Sequence, residues 1–307
     1  MTSVVTATGL TRSFGAHRGI RDVSFEVHQG EVFGFLGPNG AGKSTTIRIM
    51  LGLYRRDAGE VSVLGHDPVR DNVQINSRTG YLPGELALHT RLTGQQHLDF
   101  VARARGLTDM STRDELVRRF DVELDRPVKN LSKGNRQKIG IVLTFMHRPD
   151  FLVLDEPTSG LDPLLQDEFA RLVRETVDEG RTVFLSSHEL DEVQRVVDRL
   201  AIIKDGRIIV TDTVEGLRSQ APRTVEFRFD TAVDSAVFEH IDGVHVTSND
   251  NGTVTLSVSG PIAPVLRAAA DQNVVDVTAR PTDLEELFLR YYRTGRATDP
   301  AEATAQA

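Results

Sequence analysis

The sequence predicts an α/β fold in which helices cover both sides of a mostly parallel sheet. Three short apolar segments have the length and composition of strands that are buried on both faces: "EVFGFLG" (31–37), "FLVLDE" (151–156) and "TVFLSS" (182–187). Amphipathic helical patterns lie between them, and strands that alternate with helices in this way usually pair in parallel. The chain has 307 residues, a length that suits one large domain and a smaller one.

Residue spacing predicts three helices and one strand of a different kind. Thr93 and Gln96 form a capping box that opens one helix, and "DVSFEV" (22–27) alternates with period two, which indicates a half-exposed antiparallel strand. A second helix is closed by Gly180, and its apolar stripe is Phe169, Leu172, Val173 and Thr176. A third helix ends before Pro149, and its apolar stripe is Ile139, Val142, Leu143 and Met146.

The pattern changes after a polar segment that contains Gly and Pro, "TVEGLRSQAPR" (213–223). Beyond it, period-two strands alternate with helical stretches, and Thr282 with Glu285 predicts the cap of a last helix. This pattern indicates a small α+β domain of about 70 residues. We therefore predict a first domain at 4–215, a linker at 216–222, an accessory domain at 223–293 and a disordered tail at 294–307.

Composition excludes several classes of function. The formal net charge of −8 argues against general nucleic-acid binding, which needs a basic face. The absence of cysteine excludes disulfides, thiol catalysis and cysteine-bound zinc. No apolar run is long enough for a membrane span, and the first ten residues lack the features of a secretory signal. We therefore expect a cytosolic protein.

A phosphate-binding loop is the strongest motif in the sequence. "GPNGAGKST" fits the pattern G-x-x-x-x-G-K-[ST], follows a buried apolar strand and precedes a helical pattern. Its glycines let backbone N–H groups turn towards an anion at a helix N-terminus. Lys43 is expected to neutralise the β- and γ-phosphates of ATP, and the Ser44 hydroxyl to ligate Mg²⁺. The predicted ATP-binding residues of this loop are Gly37, Pro38, Asn39, Gly40, Ala41, Gly42, Lys43, Ser44 and Thr45.

Two acidic residues end the apolar run "FLVLDE". The carboxyl ends of parallel strands meet at one edge of the sheet, so Asp155 and Glu156 should lie beside the phosphate loop. We predict that Asp155 holds the magnesium shell, and that Glu156 orients and deprotonates the attacking water. Either acid alone would be an ordinary strand end.

His188 and Phe14 are further candidates for this site. His188 follows the next buried strand, where a neutral imidazole can hydrogen-bond the γ-phosphate and the water; alone, a His at a strand end is more often structural. Phe14 precedes a turn and is expected to stack on adenine, although an aromatic residue in this position is usually packing.

Over residues 4–215 the order of motifs resembles that of an ABC transporter ATPase subunit. The resemblance rests on the phosphate loop, the signature "LSKGN" (131–135), the acidic strand end, the "SGLD" loop and His188. The forms "LSKGNRQKIG" and "DEPTSGLDP", followed by an appended domain, are most similar to the bacterial antibiotic and drug-efflux branch of the daunorubicin-resistance type. The resemblance implies a P-loop NTPase core with antiparallel β and helical subdomains. It also implies that the ATPase is a separate soluble chain, which is recruited to a membrane partner.

The resemblance also implies that two chains pair head to tail, each holding one ATP against the signature of the other. Ser132, Lys133, Gly134 and Asn135 would then contact the partner's ATP, and Asp162 would belong to the "SGLD" loop. The spacing agrees, because Ser132 falls at a helix N-terminus, where free N–H groups and the helix dipole favour an anion. Without the resemblance, an ordinary N-cap would be the better interpretation of Ser132.

Two departures from the family pattern stand out. Lys133 and Asn135 replace the usual central Gly and final Gln of the signature, a variation associated with this branch. After "GYLP" the family usually has a Gln that contacts magnesium, whereas this chain has Gly84 followed by Glu85. Either Glu85 takes over through a shifted loop, or the magnesium keeps an additional water; we favour Glu85.

The sequence thus predicts an ATP-hydrolysing subunit, with ATP and Mg²⁺ as cofactors, that powers export of a drug-like or hydrophobic substrate. Its expected partners are a polytopic permease subunit and a second ATPase subunit, as a homodimer, at the cytoplasmic face of the membrane; no nucleic-acid partner is expected. The alternative is a nucleotide-gated dimerisation module with little turnover, which Gly84 favours and which Glu156 and His188 disfavour. A DNA-repair or chromosome-structuring ATPase is a weak third hypothesis, because there is no long coiled coil and the charge is acidic.

Overall fold

The structure is a computed structural model that describes residues 2–15, 19–188, 194–220 and 222–280. These residues divide into two compact units, one that extends to Thr213 and one that begins at Val214. Within the described part of the chain, no helix is both long and apolar enough to cross a membrane.

The first unit contains nine strands and six α-helices among its described residues. In chain order the strands are β1 (Ser3–Ser13), β2 (Gly19–His28), β3 (Val32–Leu36), β4 (Ala58–Val63), β5 (Thr79–Leu82), β6 (Phe151–Asp155), β7 (Thr182–Ser187), β8 (Arg199–Lys204) and β9 (Arg207–Thr213). The helices are α1 (Lys43–Met50), α2 (Asn72–Ser77), α3 (Gly94–Ala104), α4 (Ser111–Arg119), α5 (Lys133–Phe145) and α6 (Pro163–Asp178). A 3₁₀ turn at Val128–Asn130 precedes α5.

The central sheet has six strands in the order β5-β6-β7-β3-β8-β9. All its pairs are parallel except β8 with β9, and every residue of β3, β6 and β7 is buried. This arrangement confirms the predicted parallel α/β core. In the register, Leu36 pairs with Ser187 and Asp155 pairs with Ser186. The ends of three neighbouring strands, with the loops that follow them, therefore meet at one edge of the sheet.

A second sheet of the first unit is antiparallel, with the order β2-β1-β4. In β2 every second residue from Val23 to Val27 is buried, as the alternating sequence predicted. The two sheets share a core in which Phe25 packs against Phe33, Phe35 and Phe184, with ring centroids 5.5 to 5.9 Å apart. This apolar contact fixes the antiparallel sheet beside the strand that leads into the phosphate loop.

Side-chain caps fix where three of the helices begin. Thr93 and Gln96 form the predicted capping box at the start of α3. Ser132 accepts a hydrogen bond from the Asn135 N–H at the start of α5, and Asp162 accepts one from the Leu165 N–H at the start of α6. Each cap satisfies backbone N–H groups that have no partner within the helix.

The second unit has a four-stranded antiparallel sheet in the order β11-β12-β10-β13. Its elements are α7 (Val214–Gln220), β10 (Arg223–Phe229), α8 (Ala236–Glu239), β11 (Val244–Asp250), β12 (Thr253–Val258), α9 (Ala263–Asp271) and β13 (Val274–Arg280). From β10 onward the order of elements is β-α-β-β-α-β, a split βαβ arrangement. Phe227 and Phe238 stack in its own apolar core, with centroids 5.9 Å apart.

The segment predicted as a linker, 216–222, falls mostly within α7. Val214 and Leu217 of this helix are buried. The last predicted helix, from Thr282, and the tail at 294–307 lie outside the described residues.

Candidate nucleotide site

An open cleft of about 860 Å³ lies at the carboxyl edge of the central sheet. Its lining includes the loop between β3 and α1, the segment after β5, the end of β6 and the residue after β7, together with Phe14 and Tyr54. Predicted site residues that line it are Phe14, Pro38, Asn39, Gly40, Gly42, Lys43, Ser44, Thr45, Glu85, Asp155, Glu156 and His188. The fold thus brings together residues that are up to 174 positions apart in the sequence, since both Phe14 and His188 line the cleft.

The phosphate loop needs glycine where the chain turns and where it approaches a neighbour. Gly42 has φ +115°, a left-handed conformation that favours glycine, and it is the N-cap of α1. Gly37 lies so close to β8 that an added Cβ would be 2.4 Å from the Ile203 carbonyl oxygen. Its N–H donates to the Ser187 carbonyl at 3.3 Å, which ties the start of the loop to the end of β7.

Ser44 and Asp155 form a pair of oxygen donors beside this loop. The Ser44 hydroxyl donates to Asp155 Oδ2 at 2.9 Å, and the Ser186 hydroxyl donates to Asp155 Oδ1. Mg²⁺ binds oxygen at about 2.1 Å in octahedral geometry, so two adjacent ligands are about 3 Å apart. Ser44 Oγ and Asp155 Oδ2 are therefore close enough together to be two of the groups that would hold a magnesium ion.

Glu156 lies between two groups that fix its carboxylate. Its Oε1 is 3.2 Å from Lys43 Nζ, and its Oε2 is 2.6 Å from Nδ1 of the exposed His188. Lys43 is 6% exposed and also donates to the Gly37 carbonyl at 2.6 Å. The Glu156 carboxylate thus lies between an ammonium and an imidazole at the floor of the cleft.

The segment after β5 places Gly84 against the acidic strand end. A Cβ added at Gly84 would lie 3.5 Å from Asp155 Oδ2, which is ordinary van der Waals contact, and the backbone there does not require glycine. Glu85 lines the same cleft and is exposed. Tyr81 precedes them; burial, with the nearby Asp155 charge, raises the pKa of its hydroxyl, which therefore stays protonated.

At the other end of the cleft, Phe14 is 41% exposed and lies at an edge angle to Tyr54, with centroids 5.5 Å apart. The Arg12 guanidinium lies 4.9 Å from the Phe14 ring centroid. Asp57 accepts hydrogen bonds from Arg12 Nη1 at 2.7 Å and from the Ser13 N–H at 2.8 Å. These contacts hold the aromatic ring at the cleft, where a purine base can stack on it.

The signature residues lie apart from this cleft. Among the described residues that line it, none belongs to 131–135. Ser132 is exposed at the N-terminus of α5, and Lys133 Nζ donates to Ser159 Oγ at 2.8 Å. Asn135 is buried, and its side-chain amide accepts from the Glu123 N–H at 2.9 Å and donates to the Glu123 carbonyl at 2.7 Å. Asn135 therefore supports the fold locally, whereas Ser132 faces outward.

Two polar residues of the site were not singled out from the sequence. Ser186 lies in the buried strand β7 and donates to Asp155, and Gln137 is buried in α5 and donates to the Pro157 carbonyl at 2.7 Å. Two hydroxyl residues at the end of the run "TVFLSS" were a visible indication of the first. The position of Gln137 on α5 gave no such indication, because its partner is a backbone carbonyl.

Comparison with known proteins identifies the family. The model of the family described as ABC transporter matches residues 20–159. The bacitracin transport ATP-binding protein BcrA of Bacillus licheniformis is 31% identical over 247 residues, which cover 79% of this chain and 81% of that protein. The daunorubicin/doxorubicin resistance ATP-binding protein DrrA of Streptomyces peucetius is 36% identical over 223 residues, 71% of this chain and 68% of that protein.

A solved structure of the ATP binding subunit of an ABC transporter has 31% identity and a TM-score of 0.63, and it covers 70% of this chain and 92% of that one. A P-loop ATPase core with this cleft defines an ATP-binding cassette. The chain belongs to the ABC transporter family, as an ATP-binding subunit of the drug and antibiotic type. The predicted family, fold and ATPase class are therefore confirmed.

Proposed function

We propose that this ATPase works as a head-to-tail pair of identical chains that encloses two ATP molecules and powers export through a separate membrane protein. The observation that carries the proposal is the Glu156 carboxylate held between Lys43 and His188 in the cleft. The names of the relatives favour a drug-like or hydrophobic substrate, since they refer to bacitracin and to daunorubicin.

The chemistry follows from the charges around the cleft. The N–H groups of the phosphate loop and the Lys43 ammonium bind the phosphates and offset charge on the γ-phosphoryl group during transfer. When ATP draws Lys43 towards its phosphates, the Glu156 carboxylate is released to take a proton from the attacking water. His188 orients that carboxylate and contacts the water or the γ-phosphate.

Ser44 and Asp155 are the residues that would hold Mg²⁺, with Glu85 as a possible further ligand. Bound there with ATP, the ion would supply positive charge that offsets the negative charge of the phosphates. Phe14 would stack on the adenine ring at the opposite end of the cleft.

The head-to-tail pairing is supported by the position of the signature. Ser132 and Gly134 lie at the free N-terminus of α5, where backbone N–H groups and the helix dipole favour an anion. Since these residues do not line the cleft of their own chain, a nucleotide held by a second chain is the ligand that they suit. Asp162 is the N-cap of α6, at the end of the "SGLD" loop, and would lie in that interface.

The membrane partner would be a polytopic permease that binds the helical part of the first unit near Gly84. The chain would then be peripheral, at the cytoplasmic face of the membrane. Measured ATPase turnover with and without a co-expressed permease tests this proposal; stimulation by the permease supports it, and a turnover that the permease leaves unchanged contradicts it.

A mixing experiment tests the pairing. Chains with Ser132→Arg and chains with Lys43→Ala should each be inactive alone. In a mixed pair, one site inherits both lesions and the other joins an intact phosphate loop to an intact signature, so turnover should recover to about half the wild-type value per pair. If mixed pairs form without recovery, crosslinking from position 132 decides; a nucleotide label found only on the same chain contradicts head-to-tail pairing.

A second candidate is a nucleotide-gated module that dimerises with ATP but hydrolyses it slowly. Gly84 favours this function, because it offers no side chain next to Asp155. Pairs that assemble with ATP, and that show negligible turnover even with the permease present, would support this alternative.

A further inference from the structure

Gln137 lies at the junction between the signature helix and the loop that carries Glu156. It is 6% exposed, lies in α5 five residues after Ser132, and donates from its Nε2 to the Pro157 carbonyl at 2.7 Å. Pro157 immediately follows Glu156 and has no N–H of its own, so the carbonyl is the hydrogen-bonding group that its backbone offers. A buried amide donating to this carbonyl fixes the peptide unit next to the proposed catalytic carboxylate.

The backbone at Glu156 needs such support, because it is strained. Glu156 has φ +51°, a left-handed conformation that residues with a Cβ adopt rarely and only where surrounding contacts enforce it. On one side its N–H donates to the Ser186 carbonyl at 3.0 Å. On the other side, its own carbonyl accepts from the Ser159 N–H at 3.3 Å, and Gln137 holds the next carbonyl. Because the backbone at Glu156 sets the direction of its side chain, these hydrogen bonds also help to set the position of the carboxylate between Lys43 and His188.

The same loop is fitted against the first turn of α5. Lys133 donates to the Ser159 hydroxyl at 2.8 Å, and its methylene groups lie 3.2 to 3.4 Å from the position of a Cβ at Gly160. A Cβ at Gly134 would be 2.8 Å from the Gly160 carbonyl oxygen, too close for any side chain. The start of α5 and the loop from 156 to 160 therefore hold each other in place.

We infer that Gln137 is a positioning residue that fixes the strained backbone of Glu156 in its own chain. The inference rests on the proposed function, in which Ser132 acts on the ATP of the partner. One helix then serves two different sites: its N-terminus contacts the nucleotide of the partner, and Gln137 orders the water-activating carboxylate that acts on the nucleotide of its own chain.

The first test replaces the donor with an apolar side chain of similar length, Gln137→Met. We expect kcat to fall about tenfold to a hundredfold, because a small displacement of a catalytic group has effects of this size. The KM for ATP should change less than about twofold, since the phosphate loop is untouched. Gln166→Met is the matched control: Gln166 also donates to a carbonyl in this region, that of Leu161 at 3.4 Å, and this change should leave kcat within about twofold of wild type.

Mixed pairs then show on which site Gln137 acts. If it positions Glu156 of its own chain, Gln137→Met behaves like Lys43→Ala, because both damage the site that their own chain holds. Gln137→Met mixed with Ser132→Arg should therefore regain about half the wild-type turnover per pair, since one of the two sites is intact. Gln137→Met mixed with Lys43→Ala should regain nothing, since each site then contains one lesion.

The opposite pattern, recovery with Lys43→Ala and none with Ser132→Arg, would overturn the inference, because it would make Gln137 part of the signature. Recovery with neither partner, or with both, would also overturn it; the former indicates general damage to the start of α5. A wild-type kcat for Gln137→Met would overturn the inference as well. If instead Ser132→Arg and Lys43→Ala fail to complement each other, the proposed pairing fails. In that case a low kcat for Gln137→Met, with an unchanged ATP affinity and melting temperature, would still support the inference that Gln137 positions Glu156.

Discussion

Lys43 Nζ lies 3.2 Å from Glu156 Oε1 at the floor of the cleft. The ammonium proposed to neutralise phosphate charge is thus in contact with the carboxylate proposed to activate water. The two groups belong to different elements, the start of α1 and the end of β6, which the parallel sheet brings to one edge. The role of each charge can therefore be tested on its own, because either side chain can be replaced without altering the element that carries the other.

Glu156→Gln tests the role of the carboxylate as a base. The amide keeps the size of the side chain but cannot accept a proton, so turnover should fall by about 10²-fold or more while ATP affinity is kept. The ATP-bound pair should accumulate and be visible on a sizing column. Glu60→Gln, at an exposed position of β4, is the control and should leave turnover unchanged. Near-wild-type turnover of Glu156→Gln would remove this residue from catalysis.

Gly84→Gln and Glu85→Ala test which residue completes the magnesium shell. The space at Gly84 accepts a Cβ, so the longer side chain should be tolerated and should leave hydrolysis intact or raise it. If Glu85 already contacts the ion, Glu85→Ala should lower turnover and raise the Mg²⁺ concentration needed for half-maximal activity. If neither change alters turnover or its dependence on Mg²⁺, the segment at Gly84 and Glu85 does not take part in hydrolysis.

The sequence predicted the parallel core and the site edge because both depend on local patterns. Buried strands such as β6 are continuous apolar runs, and the topology of a parallel sheet then places Asp155 and the phosphate loop together. The spacing of the phosphate loop is set by its own backbone, so it could be identified without the rest of the fold. The structure therefore reproduces the parallel core, the alternating burial of β2 and the capping box of α3, which rested on period or cap.

Contacts between distant backbone and side-chain groups were not predictable in this way. The amide of Asn135 is bonded to the Glu123 backbone, a pairing that depends on how α5 packs; the predicted contact of Asn135 with the nucleotide of a partner stays a prediction. The polar segment at 216–222, predicted as a linker, lies mostly within α7, in which Val214 and Leu217 are buried. In both cases tertiary packing determined the outcome, and residue type alone carried no information about it.

His147 gives a prediction for stability against pH. Burial, and then the nearby Arg105 charge, lowers the pKa of His147 from 6.5 to about 4. The unfolded chain therefore binds a proton at His147 more readily than the folded chain does. Above about pH 6.5 this difference does not affect the free energy of unfolding, and as the pH falls towards 4 it lowers that free energy progressively. After allowance for the partial exposure of His147, the free energy of unfolding should fall by about 1 to 2 kcal/mol between pH 7.5 and pH 5.

The measurement for His147 is urea unfolding at both pH values, compared with His147→Gln. The variant retains a donor but does not titrate, so its loss of stability on acidification should be smaller than that of the wild type by this amount. Identical losses in the two proteins would show that His147 is not responsible.

Phe14 gives a prediction for nucleotide affinity. If its exposed ring stacks on adenine, Phe14→Ala should raise the Kd for ATP about tenfold, and Phe14→Tyr should stay within about twofold. Asp57→Ala should weaken binding in the same direction but less, because it frees Arg12 and the Ser13 N–H, which hold the ring. Isothermal titration with ATP measures all three. An unchanged Kd for Phe14→Ala would leave the ring as packing against Tyr54.

A chain that ends after Thr213 tests whether the site depends on the second unit. Every residue proposed to bind ATP lies before this point, and the first unit has its own core around Phe25, Phe33 and Phe184. The truncated chain should therefore bind ATP with a Kd within about twofold of the full chain. Altered pairing, or a weaker response to the permease, is the change to expect instead.

A point change in the second unit is the matched control for this truncation. Phe227→Ala removes a fully buried ring that stacks on Phe238, which should destabilise the second unit by about 3 to 5 kcal/mol. Because Phe227 belongs to the separate core of that unit, the ATP affinity of the full chain should not change. Circular dichroism shows whether the truncated chain is folded, and titration with ATP shows whether it binds. A folded truncated chain that no longer binds ATP would mean that the second unit takes part in the nucleotide site.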